Sequence, residues 1–193
     1  MIKILTVTLS VFAAVSAQEA HPTKASSRTP GTPYSPKDVQ AIKALRNKVS
    51  TKSCDMYKEF DSIFDYCGKT GYVQGYILRY CEDYLAARED FVNKEWQDGV
   101  RTCLQGKLAD FALSKSSYPT SKEITDFGFA SHQGCYLAPV PEKPEITWCK
   151  LPLSDMAKIA WIARGQYWEI LKQGIPILIK CFTGGALNLS EFN

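Results

Sequence analysis

The sequence has few of the side chains on which catalysis and metal binding depend. Its 193 residues include only two histidines, His21 and His132, and none of its seven cysteines forms a CxxC pair. The GxSxG, HExxH, Walker A, GxGxxG and EF-hand patterns are also missing. His132 lies close to Cys135, but no convergent set of acids and bases accompanies this pair. We therefore expect a protein that is not an enzyme, with no catalytic residue, no cofactor and no metal site.

An excess of charge of one sign is missing as well. Lysine and arginine number 23 against 20 acidic residues, which gives a formal net charge of +3 without charged blocks. A nucleic-acid-binding domain would concentrate basic residues on one face, so we expect no nucleic-acid partner. The chain is 45% hydrophobic and 12% aromatic. This composition excludes a disordered chain, and the length suits one domain with a hydrophobic core.

Long hydrophobic runs are limited to the N-terminus. Lys3 precedes an apolar run over residues 4–15, and the small residues Val15-Ser16-Ala17 follow, as in a secretory signal peptide that is cleaved after Ala17. The run is shorter than the roughly 20 residues that a membrane span needs. The later apolar run at 175–179 has five residues and contains a proline. We therefore predict a signal peptide at residues 1–17 and a secreted, extracellular protein without a membrane span.

The remaining chain divides into a helical domain between two polar ends. Residues 18–34 are rich in proline, serine and threonine and lack an apolar period, which predicts a flexible leader. Residues 184–193 are expected to form a flexible C-terminal tail. Within the tail, Asn188-Leu189-Ser190 is an acceptor sequence for N-glycosylation, and we expect Asn188 to carry a glycan.

Residues 35–183 carry apolar side chains at helical spacing, with signals for helix starts between the segments. The predicted helices are residues 36–49 after Ser35, a helix from Ser53 to Cys67, a stretch from Tyr76 to Phe111 with a break near Asn93, a helix after the Thr120/Glu123 capping box, and a last long helix from Ser154-Asp155 that Gly174-Ile175-Pro176 kinks or ends. No alternating stretch indicates a strand. The sequence therefore predicts an all-α, disulfide-stabilised bundle of about five helices.

Aromatic residues within these helices admit two interpretations. A stripe that includes Trp96, Trp161 and Trp168 would suit a lipid pocket. Aromatic residues at helical spacing more often belong to a packed core, and we take the core as the expected role.

In a secreted chain, cysteines are read as a disulfide framework, and an odd number leaves one thiol free or bonded to another chain. Cys54 and Cys67 lie 13 residues apart in one predicted helix. Their α-carbons would be about 20 Å apart, beyond the roughly 7 Å that a disulfide allows. Cys81 and Cys103 fail for the same reason if their helix is continuous.

Two other pairs suit the helical arrangement. Cys103 and Cys135 flank the turn around residues 114–120 at comparable distances, which fits two antiparallel helices. Cys149 and Cys181 bracket the last long helix.

The cysteine region resembles the stanniocalcin family of secreted glycoprotein hormones. Three stretches carry the likeness: Cys81-Glu-Asp-Tyr-Leu through Val100-Arg-Thr-Cys103, Gly134-Cys135-Tyr136 followed by Cys149, and Leu153-Ser154-Asp155 through Gln166-Tyr167-Trp168 to Cys181. The resemblance implies the bonds Cys103–Cys135, Cys149–Cys181 and Cys67–Cys81, and it leaves Cys54 unpaired or intermolecular. A helical hairpin with a tighter turn would instead favour Cys54–Cys81, and the residues leave that alternative open.

The resemblance also implies a function. It predicts an extracellular signalling protein that binds a cell-surface or extracellular protein and is linked to calcium and phosphate homeostasis. The chain departs from the family in lacking several cysteines, among them the intersubunit cysteine, so a homodimer would use Cys54 or a noncovalent helix face. The alternative is an unrelated secreted helical binding module, either a small-ligand carrier or a secreted effector. A buried apolar cavity would favour the carrier.

Overall fold

The computed structural model describes residues 28–64 and 71–183, without the side chains of residues 166–171 and 173. The proposed signal peptide, Cys67 and Asn188 lie outside the described residues. The described residues form seven α-helices: α1 (Pro36–Leu45), α2 (Asp55–Phe64), α3 (Arg79–Ala86), α4 (Lys94–Ser114), α5 (Ser121–Leu137), α6 (Leu153–Ile162) and α7 (Tyr167–Thr183). Among these residues, extended pairing is limited to one isolated bridge between Pro33 and Ser117. The all-α, disulfide-stabilised fold is thus confirmed.

The starts of the helices follow the capping signals in the sequence. The Ser35 Oγ accepts a hydrogen bond from the backbone N–H of Asp38 at 3.1 Å at the start of α1. At the start of α5, the Thr120 Oγ1 accepts from the Glu123 N–H at 3.1 Å, and the Glu123 carboxylate accepts from the Thr120 N–H at 2.8 Å. Both ends of this predicted capping box are therefore made.

The predicted third helix is divided in the structure. A π-helical segment, Tyr72–Leu78, leads into α3, and a 3₁₀ turn at Arg88–Asp90 separates α3 from α4. The Asn93 side chain accepts from the N–H of Trp96 at 2.9 Å and caps α4. The predicted break near Asn93 is confirmed because this residue begins a new helix.

The predicted last helix is also two helices, which explains part of the difference between seven helices and the expected five. A 3₁₀ turn at Arg164–Gln166 separates α6 from α7. One unbroken helix from α6 to α7 would carry Cys181 about 40 Å from its start, whereas the α-carbons of Cys149 and Cys181 lie 5.2 Å apart. The turn returns α7 toward residue 149. Pro176 lies inside α7, so α7 does not end there.

The end of the predicted flexible leader is part of the folded domain. The Gly31 N–H donates to the Tyr118 carbonyl at 2.8 Å, and the Tyr118 N–H donates to the Thr32 carbonyl at 2.9 Å. The Tyr34 ring packs edge-on against the ring of Tyr118 with 5.0 Å between centroids. The expectation of a flexible leader over residues 18–34 is therefore wrong for residues 28–34, because backbone pairing and aromatic packing tie them to the α4–α5 connection.

Two clusters of buried apolar side chains form the core. The first joins α1, α2 and α3 to the C-terminal half of α4, with Leu45, Phe60 and Leu108 among its members. The second lies around the N-terminal half of α4 and includes Trp96 and Ile159. The 21-residue α4 therefore contributes to both clusters. None of the helices in the described part of the chain is long and apolar enough to cross a membrane.

Candidate ligand-binding cavity

Two of the three disulfides among the described residues join cysteines that the sequence analysis predicts as pairs. Cys103 of α4 is bonded to Cys135 of α5, with 5.6 Å between α-carbons. Cys149, in the 3₁₀ turn Trp148–Lys150, is bonded to Cys181 of α7. These bonds fix α5 against α4 and fix the C-terminal end of α7 against the turn that precedes α6.

The third disulfide corrects the expected pairing. Cys54 is bonded to Cys81, with 6.1 Å between α-carbons, so the assignment of Cys54 as unpaired or intermolecular, and of Cys81 to Cys67, is wrong. The π-helical segment packs along α2, and the first turn of α3 reaches the residue before α2. This is the hairpin geometry that the residues left open. Cys67 lies outside the described residues.

A cavity of about 270 Å³ lies where the two core clusters meet. Its walls come from the π-helical segment, from α2, α3, α4, α5, α6 and α7, and from the turn at Trp148. Tyr57 and Leu108 of the first cluster line it, together with Trp96 and Ile159 of the second. The cavity is therefore a gap between two packed cores and is bounded by helices from most of the domain.

Tyrosines spaced four residues apart form one wall. Tyr72 and Tyr76 stack with 5.5 Å between ring centroids, and Tyr76 meets Tyr80 at 4.9 Å. The widened turn of the π-helix carries the first two of these rings, and such turns are frequent at functional sites. The Tyr72 ring lies against α5 at Gly128, where an added Cβ would collide with it. Glycine at position 128 therefore permits this wall to close on α5.

A second aromatic group forms another part of the wall. The rings of Tyr136 and Trp148 stack with 5.5 Å between centroids, and Trp96 packs edge-on against both at 5.6 Å. The Trp96 indole N–H donates to the Tyr136 carbonyl at 3.0 Å. Trp96 is thus a core residue that also lines the cavity. The expected core role is wrong for Trp161, which is 67% exposed, and the side chain of Trp168 is outside the described set.

The cavity reaches the surface beside α7. Ile175 and Leu178 line it, yet they are 52% and 43% exposed. A ligand could enter at these residues without unfolding the aromatic wall. The C-terminal end of α7 is held by the Cys149–Cys181 bond, so this opening lies beside a covalently anchored helix.

Burial favours the neutral forms of Tyr72, Tyr136 and His132, which line the cavity. Burial raises the pKa of the Tyr136 hydroxyl to about 12 and raises that of Tyr72 well above its usual value. Burial lowers the pKa of His132, although its hydrogen bonds with backbone carbonyls oppose that shift. The His132 Nδ1 donates to the Gly128 carbonyl at 2.8 Å. At neutral pH these groups add hydrogen-bonding capacity to the cavity but no charge.

The described lining of the cavity supplies apolar contacts and hydrogen-bond donors. Cys135, the cysteine close to His132 in sequence, is consumed by its bond to Cys103 and offers no thiolate. Within residues 28–64 and 71–183, no group of three or more His, Cys, Asp or Glu side chains is placed to hold a metal ion. The sequence indicated the aromatic stripe but gave no prediction of the cavity. The four-residue spacing of Tyr72, Tyr76 and Tyr80 was the available signal.

Searches with this chain against protein-family models, curated proteins and solved structures return no match. The resemblance to the stanniocalcin family accordingly rests on the sequence motifs alone.

Proposed function

We propose that the protein is an extracellular binding protein for a small apolar ligand, which occupies the cavity between the two core clusters. The cavity itself carries the proposal. Helical domains pack their interiors with few voids larger than a water molecule, whereas 270 Å³ corresponds to about nine waters at roughly 30 Å³ each. The cavity reaches the surface beside Ile175 and Leu178, so a small ligand can enter it from solvent.

The disulfides support the same function because they brace the cavity wall. Cys81 lines the cavity directly, and the Cys103–Cys135 bond joins α4 to α5, which supply much of the lining. A wall that is fixed before the ligand arrives loses less conformational entropy on binding. Disulfides of this number are also typical of extracellular proteins, in agreement with the predicted signal peptide.

Uptake of a neutral fluorescent probe, N-phenylnaphthylamine, tests this function. Val100 lines the cavity and is 7% exposed, whereas Val92 is 71% exposed and lies away from the cavity. Val100→Phe places a larger ring at the cavity wall, and Val92→Phe is the matched control with the same change in chemistry. We expect saturable probe emission with the unmodified protein and with V92F, and a loss of uptake with V100F.

Near-ultraviolet circular dichroism of each variant verifies that the aromatic core is intact. The proposal fails if the folded, unmodified protein shows no saturable uptake, or if V100F and V92F take up the probe equally.

We also propose a second function, extracellular signalling of the stanniocalcin type through a protein partner and without catalysis. Its support is the pair of bonds Cys103–Cys135 and Cys149–Cys181, which are two of the bonds that the resemblance implies. In this function the protein is a secreted glycoprotein hormone that acts in calcium and phosphate homeostasis. Binding of the labelled protein to intact cells should be saturable and should be abolished by protease treatment of the cell surface. Binding that rises linearly with concentration would contradict it.

A further inference from the structure

Within the part of the chain that the structure describes, three buried polar atoms of the cavity wall lack a hydrogen-bond partner, and they share one property. They are the Tyr72 hydroxyl, the Arg101 Nη1 and the Trp148 Nε1. All three can donate a hydrogen bond, and the two nitrogens can do nothing else. Buried donors without a partner are rare in folded proteins, and each one is costly. A ligand that complements this wall must therefore supply acceptor atoms.

Arg101 is the donor with the most constrained geometry. It is 4% exposed, and its Nη2 donates to the Asp98 carboxylate at 2.9 Å and to the Thr51 carbonyl. Its Nε donates to the Gln97 side chain at 3.4 Å. These bonds hold the guanidinium in one orientation and leave Nη1 unused. Among the described residues that line the cavity, Arg101 is the one with a charged side chain.

Arg101 shares its carboxylate partner with another cation. Asp98 also accepts from Arg88 at 2.6–3.0 Å. Arg88 contacts Glu89, which in turn pairs with Lys94. Three cations therefore share two carboxylates in this cluster, which carries one net positive charge with Arg101 at its buried end. An anionic group at Arg101 would balance that charge.

The size of the cavity limits the rest of the ligand. An apolar cavity of about 150 Å³ holds a benzene molecule, and pockets for drug-sized ligands begin at about 300 Å³. A volume of 270 Å³ lies between these limits and suits a chain of medium length better than a full-length lipid. The aromatic walls supply apolar contact along such a chain.

We propose that the cavity binds a medium-chain carboxylic acid, with the carboxylate accepting a hydrogen bond from the Arg101 Nη1 and the hydrocarbon chain lying between the aromatic walls. This assignment rests on the proposed ligand-binding function and names its ligand class. Arg101 provides the charge selectivity, and the aromatic side chains provide apolar affinity that does not depend on the head group.

Competition against bound N-phenylnaphthylamine tests the head group on the unmodified protein. Decanoate, decanol and methyl decanoate share a ten-carbon chain, and decanoate is the one with a charged head group. A charge-assisted hydrogen bond to a buried arginine predicts that decanoate displaces the probe at roughly tenfold to a hundredfold lower concentration than decanol. Equal displacement by the three compounds would overturn the carboxylate assignment. Saturable uptake of the probe would still support the proposed ligand-binding function. Absence of uptake of any compound would overturn both.

Variants assign the selectivity to Arg101. Arg101→Met should remove the preference for decanoate over decanol. Arg46→Met is the matched control, because Arg46 pairs with Asp110 at a site where both side chains are about half exposed and does not line the cavity. A preference for decanoate that survives in R101M would overturn the assignment. If R101M does not fold, Tyr72→Phe serves as the second variant, and decanoate is expected to remain preferred because the charged donor is retained.

Discussion

Replacement of Cys54 by alanine is the most direct test of the disulfide arrangement. Its bond to Cys81 closes a loop with a sequence separation of 27 residues. Loop closure of that length stabilises the folded state by about 3.5 kcal/mol through the unfolded chain. A bond from Cys67 to Cys81 would close a shorter loop and contribute about 3 kcal/mol. The two pairings therefore predict a similar loss of stability when the partner of Cys81 is replaced. They differ in whether that partner is Cys54 or Cys67.

The informative comparison is between Cys67→Ala and the double variant Cys54→Ala/Cys67→Ala, which prevents the freed Cys81 thiol from pairing with Cys67. Urea unfolding without reductant should leave C67A within about 0.5 kcal/mol of the unmodified protein. The double variant should lose about 3–4 kcal/mol in free energy of unfolding. Alkylation of the denatured, non-reduced monomer should label one thiol, at Cys67. Label on Cys54, together with a loss of about 3 kcal/mol in C67A, would refute the reasoning.

Two further predictions concern buried polar side chains. Asp155 is fully buried and accepts from the backbone N–H groups of Val92 and Asn93 at 2.9 and 2.8 Å, so D155A should cost about 2–4 kcal/mol in urea unfolding. Exposed Ser154→Ala is its control, and an equal cost in both variants would contradict this role. Burial lowers the pKa of His132 in the folded chain, whereas a histidine in the unfolded chain has a pKa of about 6.5. Below a pH of about 6.5 the unfolded chain therefore binds a proton that the folded chain excludes. The free energy of unfolding should fall there by up to about 1.4 kcal/mol per pH unit. Unfolding at pH 7 and 5.5 should show this slope in the unmodified protein but not in H132Q, and equal slopes would contradict it.

Local signals in the sequence predicted the helix starts well. Ser35, Asn93 and Thr120 cap their helices through atoms within three residues of themselves, so a short window contains the whole interaction. The breaks inside long apolar segments were harder to predict. The turn after Ile162 has no proline or capping side chain to mark it, whereas Pro176 marks a break that does not end α7. Tertiary packing overrides the local signal in both places.

Contacts between distant segments could not be predicted in the same way. The pairing of Cys54 with Cys81 depends on how the chain turns between α2 and α3, which no helical period specifies. The presence of a cavity depends on whether the side chains of the two core clusters touch each other across the space between them. Apolar periodicity predicts that Trp96 and Tyr136 point inward, but it does not predict how far the two core clusters stand apart.

Asp155 shows how a correct local signal can serve a different purpose in the structure. The pair Ser154-Asp155 was taken to open the last long helix, and α6 does begin there, at Leu153. The residue before α6 makes no side-chain cap, and the Asp155 carboxylate instead binds the backbone at the start of α4. An acidic residue at a helix start is favourable in either case, so the sequence cannot separate the two uses.

A row of buried polar side chains on α4 links the fold to the cavity. Gln97, Arg101 and Gln105 lie four residues apart and are at most 4% exposed. The Gln105 side chain exchanges two hydrogen bonds with the backbone of Ser50, and the Gln97 side chain binds the Tyr84 carbonyl and Arg101. These two glutamines therefore hold neighbouring segments against α4. Arg101, between them, is the member of the row with an unsatisfied donor, and it is in the cavity wall. The unused Arg101 Nη1 is therefore the point of this row at which a ligand in the cavity can accept a hydrogen bond.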